Sequence, residues 1–190
     1  MIATTPSELL YPLNLFWQRE GHALPEYEIV EGKAIPEPYR RLLVHERDMT
    51  SRLERFWGGQ IVLEVLHCER LPGAYRREVV LFIKETGLPV EYGAIEIDLS
   101  TFSDELRGLI LEQHLPLGGL LNRFGIEYRS EPKGFIQLGP DSVMQRVFRL
   151  PVAREFYGRC NVLLGEDDRL LARIVEVLRP ANVAASQPVP

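Results

Sequence analysis

Apolar and polar residues alternate along much of the chain, and a repeat of two is typical of β-strands that bury one face. Turn-forming residues such as Pro72-Gly73 and Thr86-Gly87 separate the alternating segments. The pattern predicts strands over 60–68, 75–84, 90–99, 157–164 and 170–178, and weaker ones over 126–129 and 134–138. The sequence therefore predicts a chain that is rich in β-structure.

Two stretches between the predicted strands have the apolar spacing and the capping residues of helices. They are residues 49–56, which follow Asp48, and residues 103–124, which Pro116 interrupts. Strands in groups with helices between them, without strict βαβ alternation, favour an α+β fold. We therefore expect a single antiparallel β-sheet with these helices covering one face.

The length of 190 residues is most economically that of one domain. Residues 1–40 are rich in proline and aromatic residues, which predicts an irregular N-terminal arm. The folded domain is predicted to span residues 41–180, and residues 181–190 are predicted to be a flexible tail. A monomer is expected, because no long apolar helix face is left unpartnered.

Two charged residues violate the alternation. Glu176 shares a predicted strand face with aliphatic residues such as Ile174 and Leu178, and Arg77 shares one with Val79 and other apolar residues. The opposite face of residues 75–84 is expected to meet water at least in part. An inward charge costs several kcal/mol unless it is paired or bonded. The two charges therefore indicate either a buried ion pair that links two strands or a polar pocket inside the sheet core.

Composition narrows the classes of function. A net charge of −5 gives no support for nucleic-acid binding, and no run approaches the roughly 20 apolar residues of a membrane span. Two cysteines imply no disulfide framework, and the N-terminus lacks a signal-peptide pattern, so a cytoplasmic location is expected. The four histidines show no ligand spacing. We therefore expect no metal, no membrane and no nucleic acid.

Four segments together resemble the chorismate pyruvate-lyase family in their order and spacing, over about residues 42 to 180. The first contains Asp48-Met49-Thr50, which resembles the start of a family helix, and the second contains Arg77-Glu78 at the start of a strand. The third runs from Leu99 to Leu117-Gly118, and the fourth pairs Tyr157-Gly158-Arg159 with Val175-Glu176-Val177.

This resemblance implies a six-stranded antiparallel sheet with an aromatic product buried beneath helical flaps. It implies elimination of pyruvate from chorismate to give 4-hydroxybenzoate, which makes the expected protein a carbon–oxygen lyase of aromatic biosynthesis that needs no cofactor. Arg77 would bind the ring carboxylate, with the backbone amides of Met49 and Leu117 as further donors. Glu176 would contact the 4-hydroxyl group.

Several alternatives stay open at this point. Glu176 could transfer a proton or only position the hydroxyl group, and either Arg159 or Arg123 could bind the pyruvyl carboxylate. The protein could instead be a non-catalytic aromatic-acid binding or sensor protein, because ligand-sensing domains of some bacterial transcription regulators share this fold. The expected absence of a preceding DNA-binding domain favours the enzyme. A related enzyme that forms another hydroxybenzoate is the third alternative.

Overall fold

One antiparallel sheet organises the chain in a computed structural model, which describes residues 9–46, 48–152 and 154–181. Its strands lie in the order β1-β5-β6-β7-β4-β3-β2, all antiparallel to their neighbours. The strands are β1 (Tyr27–Val30), β2 (Ile61–Leu71), β3 (Ala74–Ile83), β4 (Leu88–Asp98), β5 (Arg129–Leu138), β6 (Phe156–Leu164) and β7 (Leu170–Leu178). The described α-helices are α1 (Leu13–Arg19), α2 (Tyr39–Leu43), α3 (Met49–Trp57), α4 (Asp104–Leu111), α5 (Leu117–Arg123) and α6 (Ser142–Val147).

The strongly alternating segments form the strands that the pattern predicts. Tight turns join β2 to β3 and β3 to β4, and each contains a glycine with positive φ, Gly73 at 76° and Gly87 at 65°. Of the two weaker segments, 134–138 forms the end of β5, whereas only Arg129 of 126–129 belongs to that strand. β5 has an irregularity in its pairing with β6 between Pro132 and Gly134. The prediction of an α+β fold with one antiparallel sheet is confirmed.

The sheet has seven strands instead of six, and the additional strand comes from the N-terminal arm. β1 pairs with β5 from Tyr27 opposite Leu138 to Val30 opposite Phe135. Four residues are too few to show a period of two, so the sequence pattern does not reveal this strand. The arm also contains α1, and its described part is thus more regular than predicted. Most of the predicted tail, from residue 182 on, lies outside the described residues.

Helices α3, α4 and α5 cover the same face of the sheet, as predicted. Asp48 accepts a hydrogen bond from the backbone N–H of Ser51 at 3.1 Å and caps α3, while Ser103 caps α4. The apolar sides of α4 and α5 pack on the sheet in one buried cluster, and α3 packs in a neighbouring cluster. The two clusters include Ile97, Leu106, Ile110, Leu120 and Leu121 in the first, and Leu53, Ile61, Leu81 and Leu178 in the second.

The opposite face of the sheet is covered by α1 and α6, which corrects one prediction. Glu78 belongs to the face of β3 that was expected to meet water, yet its side chain is buried. It accepts a hydrogen bond from the Tyr92 hydroxyl group, which itself accepts one from Trp17 Nε1 on α1 at 2.5 Å. A nitrogen of the His67 ring lies 2.7 Å from Glu78. Alternation predicts which residues share a face, but it does not predict that the arm covers that face.

Gly93 on β4 allows two strands to approach each other closely. It lies opposite Glu176 on β7, and a β-carbon at this position would overlap the carbonyl oxygen of Val175. Gly93→Ala is therefore expected to lower the free energy of unfolding by about 2 kcal/mol or more, measured by urea denaturation. Gly108→Ala is the matched control, because Gly108 is exposed within α4 and its added methyl group would meet no neighbour. The control should gain roughly 0.5–1 kcal/mol, and equal effects at both positions would contradict this account.

Candidate functional site

A cavity of about 80 Å³ lies between the sheet and the first residues of α3 and α5. It has room for several water molecules or for a small ligand. Its aliphatic walls are formed by Leu63, Val79, Leu81, Ile95, Leu163 and Ile174. Its polar lining comes from Asp48, Thr50, Arg77, Glu91, Tyr128, Ser130, Arg159, Asn161 and Glu176.

Strand register brings the predicted site residues together around this cavity. Glu176 on β7 lies opposite Arg159 on β6. Arg77 on β3 lies opposite Ile95 on β4, the strand that also pairs with β7. Met49 and Leu117 line the same cavity, because each is the first residue of a helix that covers the sheet. The candidate residues from the sequence therefore surround one space. Arg123, the other candidate for binding a second carboxylate, is not among the lining residues.

Glu176 takes part in a buried ion pair with Arg159. Arg159 Nε donates to Glu176 Oε2, and the side chain of Arg159 is only 1% exposed. Arg159 Nη1 also donates to the backbone carbonyl oxygen of His45 at 3.1 Å and, more weakly, to that of Leu43 at 3.4 Å. The ion pair suggested by the sequence thus exists, but the partner of Glu176 is Arg159 on the adjacent strand and not Arg77.

Arg77 is a buried cation with incomplete hydrogen bonding. Its Nη2 donates to the carbonyl oxygen of Leu115 at 3.1 Å, while Nε and Nη1 are buried without a hydrogen-bond partner among the described residues. None of the described carboxylates lies within ion-pair distance of it. Burial lowers the pKa of Arg77 to about 10, and the nearby Tyr75 and Cys68 oppose that change. Arg77 remains charged at neutral pH, so the cavity contains a cation that lacks an anion.

Glu91 on β4 is a polar cavity residue that the sequence analysis missed. It is 5% exposed, and its Oε2 atom is buried without a hydrogen-bond partner in the described part of the chain. Burial raises the pKa of Glu91 well above its ordinary value, and the negative charge of Glu176 raises it further. Burial therefore favours the neutral form of the carboxyl group over the charged one. Alternation with Gly93 and Ile95 could have revealed it, since Glu91 violates the pattern just as Glu176 does.

The remaining polar atoms of the cavity wall are partly satisfied. Asn161 donates from Nδ2 to Ser130 Oγ at 2.9 Å, and its Oδ1 atom has no partner within the described ranges. Burial raises the pKa of Tyr128, so its hydroxyl group keeps its proton at neutral pH. An apolar space with a few unsatisfied polar groups is the usual composition of a small-molecule site. The cavity can therefore hold a compact organic ligand with an anionic end.

No group of three or more His, Cys, Asp or Glu side chains in the described ranges could hold a metal ion. No described helix is long and apolar enough to cross a membrane.

Comparison with known proteins finds similarity at the level of structure. No family model matches the sequence, and no curated protein matches it. The structure of PhnF from Mycobacterium smegmatis aligns with a TM-score of 0.57 at 11% identity, covering 91% of this chain and 96% of that one. The effector domain of the same protein gives 0.56 at 12% identity, covering 73% and 92%. YydK from Bacillus subtilis, a possible transcriptional regulator, gives 0.50 at 10% identity, covering 68% and 63%.

At these identities the comparison shows a shared fold. It is the chorismate lyase-like fold of the C-terminal domains of GntR-family regulators. The prediction of a chorismate lyase that acts in 4-hydroxybenzoate biosynthesis is wrong, because the structural neighbours are ligand-binding domains of transcription regulators and not lyases. The sequence motifs that resemble the lyase family contribute Met49, Arg77 and Glu176, among other residues, to the lining of the cavity. The alternative of a non-catalytic ligand-binding protein is the better supported one.

Proposed function

We propose that this chain is a ligand-binding domain that senses a small organic acid, and that Arg77 holds the carboxylate of that acid. The observation that carries the proposal is the pair of buried Arg77 donors, Nε and Nη1, that have no partner among the described residues. Buried polar groups in proteins are nearly always hydrogen-bonded, so an unsatisfied one requires a specific explanation. A bound ligand supplies one here. A carboxylate oxygen can accept a hydrogen bond from either of these N–H groups, and the carboxylate also neutralises the charge of the guanidinium.

The walls of the cavity favour an acid with a compact apolar body. Aliphatic side chains of β3, β4, β6 and β7 surround the space between the charged groups. An aromatic ring suits this space because it is flat and rigid and buries much apolar area at little cost in conformational entropy. We therefore infer an aromatic acid as the class of ligand. No chemical step is proposed for Arg77 or Glu176.

The helix starts at the cavity supply further donors in this proposal. Met49 and Leu117 are the first residues of α3 and α5, and the first N–H groups of a helix have no partner within the helix. A carboxylate on Arg77 would lie near these backbone amides, because all three residues line the same cavity. Binding would then tie both helices to β3. Such an ordering of two covering helices is a suitable response for a sensor domain.

The proposal is tested with matched pairs of charged and neutral probes. Benzoate is expected to raise the melting temperature and to give a binding isotherm by calorimetry, whereas benzamide should do neither at the same concentration. Arg77→Met should lose the binding of benzoate. Arg70→Met is its control, since Arg70 is exposed on β2, and this control should bind benzoate as the unmodified protein does. Equal binding of benzoate and benzamide, or no binding of any aromatic acid, would overturn the proposal.

A further inference from the structure

The unpartnered carboxyl group of Glu91 is the feature of the cavity that a simple carboxylate ligand leaves unexplained. It lines the cavity, its Oε2 atom has no hydrogen-bond partner within the described residues, and none of the described cations forms an ion pair with it. A buried acid without a partner is costly, because it either loses its charge or keeps an unsatisfied polar group. The binding of a carboxylate by Arg77 does not require the carboxyl group of Glu91.

Strand register places Glu91 well away from Arg77. Arg77 lies opposite Ile95, and Glu91 precedes Ile95 by four residues on the same strand. Four residues of strand correspond to about 13 Å. The cation and the unpartnered acid thus stand towards opposite ends of the cavity, with Gly93 and Val79 paired between them. A ligand that reaches both must carry polar groups at two ends of a rigid body.

The charges around Glu91 favour a positive group at its end of the ligand. Glu176 on β7 and Asp48 before α3 both raise the pKa of Glu91 by repulsion, while Arg159 on β6 lowers it. Arg159, however, is already paired with Glu176 through Nε and bonded to backbone carbonyls through Nη1. The Glu91 end of the cavity therefore contains more acid than base. A positively charged group on the ligand would compensate for this excess of acidic side chains.

We propose that the ligand is an aromatic acid with a basic nitrogen opposite its carboxylate, and that Glu91 binds this nitrogen as a charged partner. This inference rests on the proposed function, because it needs Arg77 to hold the other end. A hydroxyl group could also hydrogen-bond to Glu91, but it would not stabilise the ionised form of the carboxyl group. An ammonium group would stabilise it, so Glu91 would release its proton when such a ligand binds.

Two probes of nearly equal shape separate these outcomes. 4-(Aminomethyl)benzoate carries the ammonium group, and 4-ethylbenzoate replaces that group with a methyl group. Calorimetry at pH 7 in buffers of different ionisation enthalpy measures both the affinity and the number of protons released. The amine is expected to bind at least about tenfold more tightly and to release protons on binding, as expected when an ionised pair replaces a neutral acid. 4-Ethylbenzoate should release none.

The variant Glu91→Gln identifies the residue responsible. It should remove both the preference for the amine and the proton release, while 4-ethylbenzoate still binds because Arg77 is intact. Glu64→Gln, at an exposed acid on β2, is the control and should behave as the unmodified protein. A preference that survives in Glu91→Gln, or tighter binding of 4-ethylbenzoate, would overturn this inference. If neither probe binds, the proposed function itself fails.

A stability measurement shows that the variant is folded and tests the state of Glu91. The pKa of Glu91 is higher in the folded protein than in the unfolded chain. The contribution of its carboxyl group to the free energy of unfolding is therefore fully present below the pKa of the unfolded chain, and it is lost as the pH rises towards the pKa of the folded protein. Glutamine does not titrate. As the pH rises from 4 to 8, the melting temperature of Glu91→Gln should therefore rise relative to that of the unmodified protein. A difference between the two melting temperatures that does not change with pH would show that Glu91 is not a buried neutral acid.

Discussion

Replacing Arg77 with methionine is expected to abolish binding of aromatic acids and, in the same variant, to make the empty protein more stable. The affinity for benzoate should fall by about 100-fold or more, as it does when one partner of a buried charge pair is removed. The free energy of unfolding should rise by about 1–3 kcal/mol, because a buried cation without an anion is replaced by an apolar side chain of similar length.

The pH dependence of this gain in stability has a definite sign. The pKa of Arg77 is about 10 in the folded protein and higher in the unfolded chain. Burial of the charge therefore destabilises the protein at all pH values below about 10, and the cost is relieved only as the pH rises above that value. Between pH 5 and pH 9 the gain from Arg77→Met should be constant.

Urea denaturation and calorimetry measure the two effects. Arg70→Met, at an exposed arginine of β2, removes a charge of the same kind and should change neither stability nor affinity appreciably. A variant at Arg77 that loses stability would indicate that the guanidinium has a partner within the fold. A variant that keeps its affinity would show that the carboxylate binds elsewhere.

Breaking the ion pair between Arg159 and Glu176 is expected to have the largest effect on stability. Each single variant, Arg159→Met or Glu176→Leu, leaves one buried charge without its partner. The cost should be about 3–5 kcal/mol for each. The double variant removes both charges and should cost much less than the sum of the two single variants, because no uncompensated charge remains.

A double-mutant cycle by urea denaturation measures this coupling. The control pair is Arg129 and Glu131, which lie 3.2 Å apart on the surface, and the cycle there should show little coupling. Additive effects at Arg159 and Glu176 would contradict the account, since they would mean that each charge is satisfied independently of the other. The buried pair would then not hold β6 and β7 together as the structure indicates.

The position of the site follows from one rule, that charged residues rarely face inward without a reason. Arg77 and Glu176 violate the alternation of their strands, and the structure places both in one cavity. The rule does not tell which inward charges pair with each other, because strand order is not visible in the sequence. β6 lies between β5 and β7, so Arg159 meets Glu176. Arg77, two strands away from β7, has no anion within ion-pair distance in the part of the chain that the structure describes.

Other features could not be predicted, for physical reasons. β1 is too short to show a period, and burial of Glu78 depends on how the arm folds over the sheet. Glu91 lies within the predicted strand 90–99 on the same face as Gly93 and Ile95, so the same rule that identified Glu176 could have identified it. The class of function was predicted wrongly because the residues around a cavity do not indicate whether a bound molecule reacts.

The most direct test of the central claim is a crystal structure of the protein with benzoate bound. A carboxylate oxygen should lie about 2.7–2.9 Å from Nε or Nη1 of Arg77, the donors that are otherwise unpartnered, with the ring among the aliphatic walls. Binding at any other position, with Nε and Nη1 of Arg77 still without an acceptor, would contradict it.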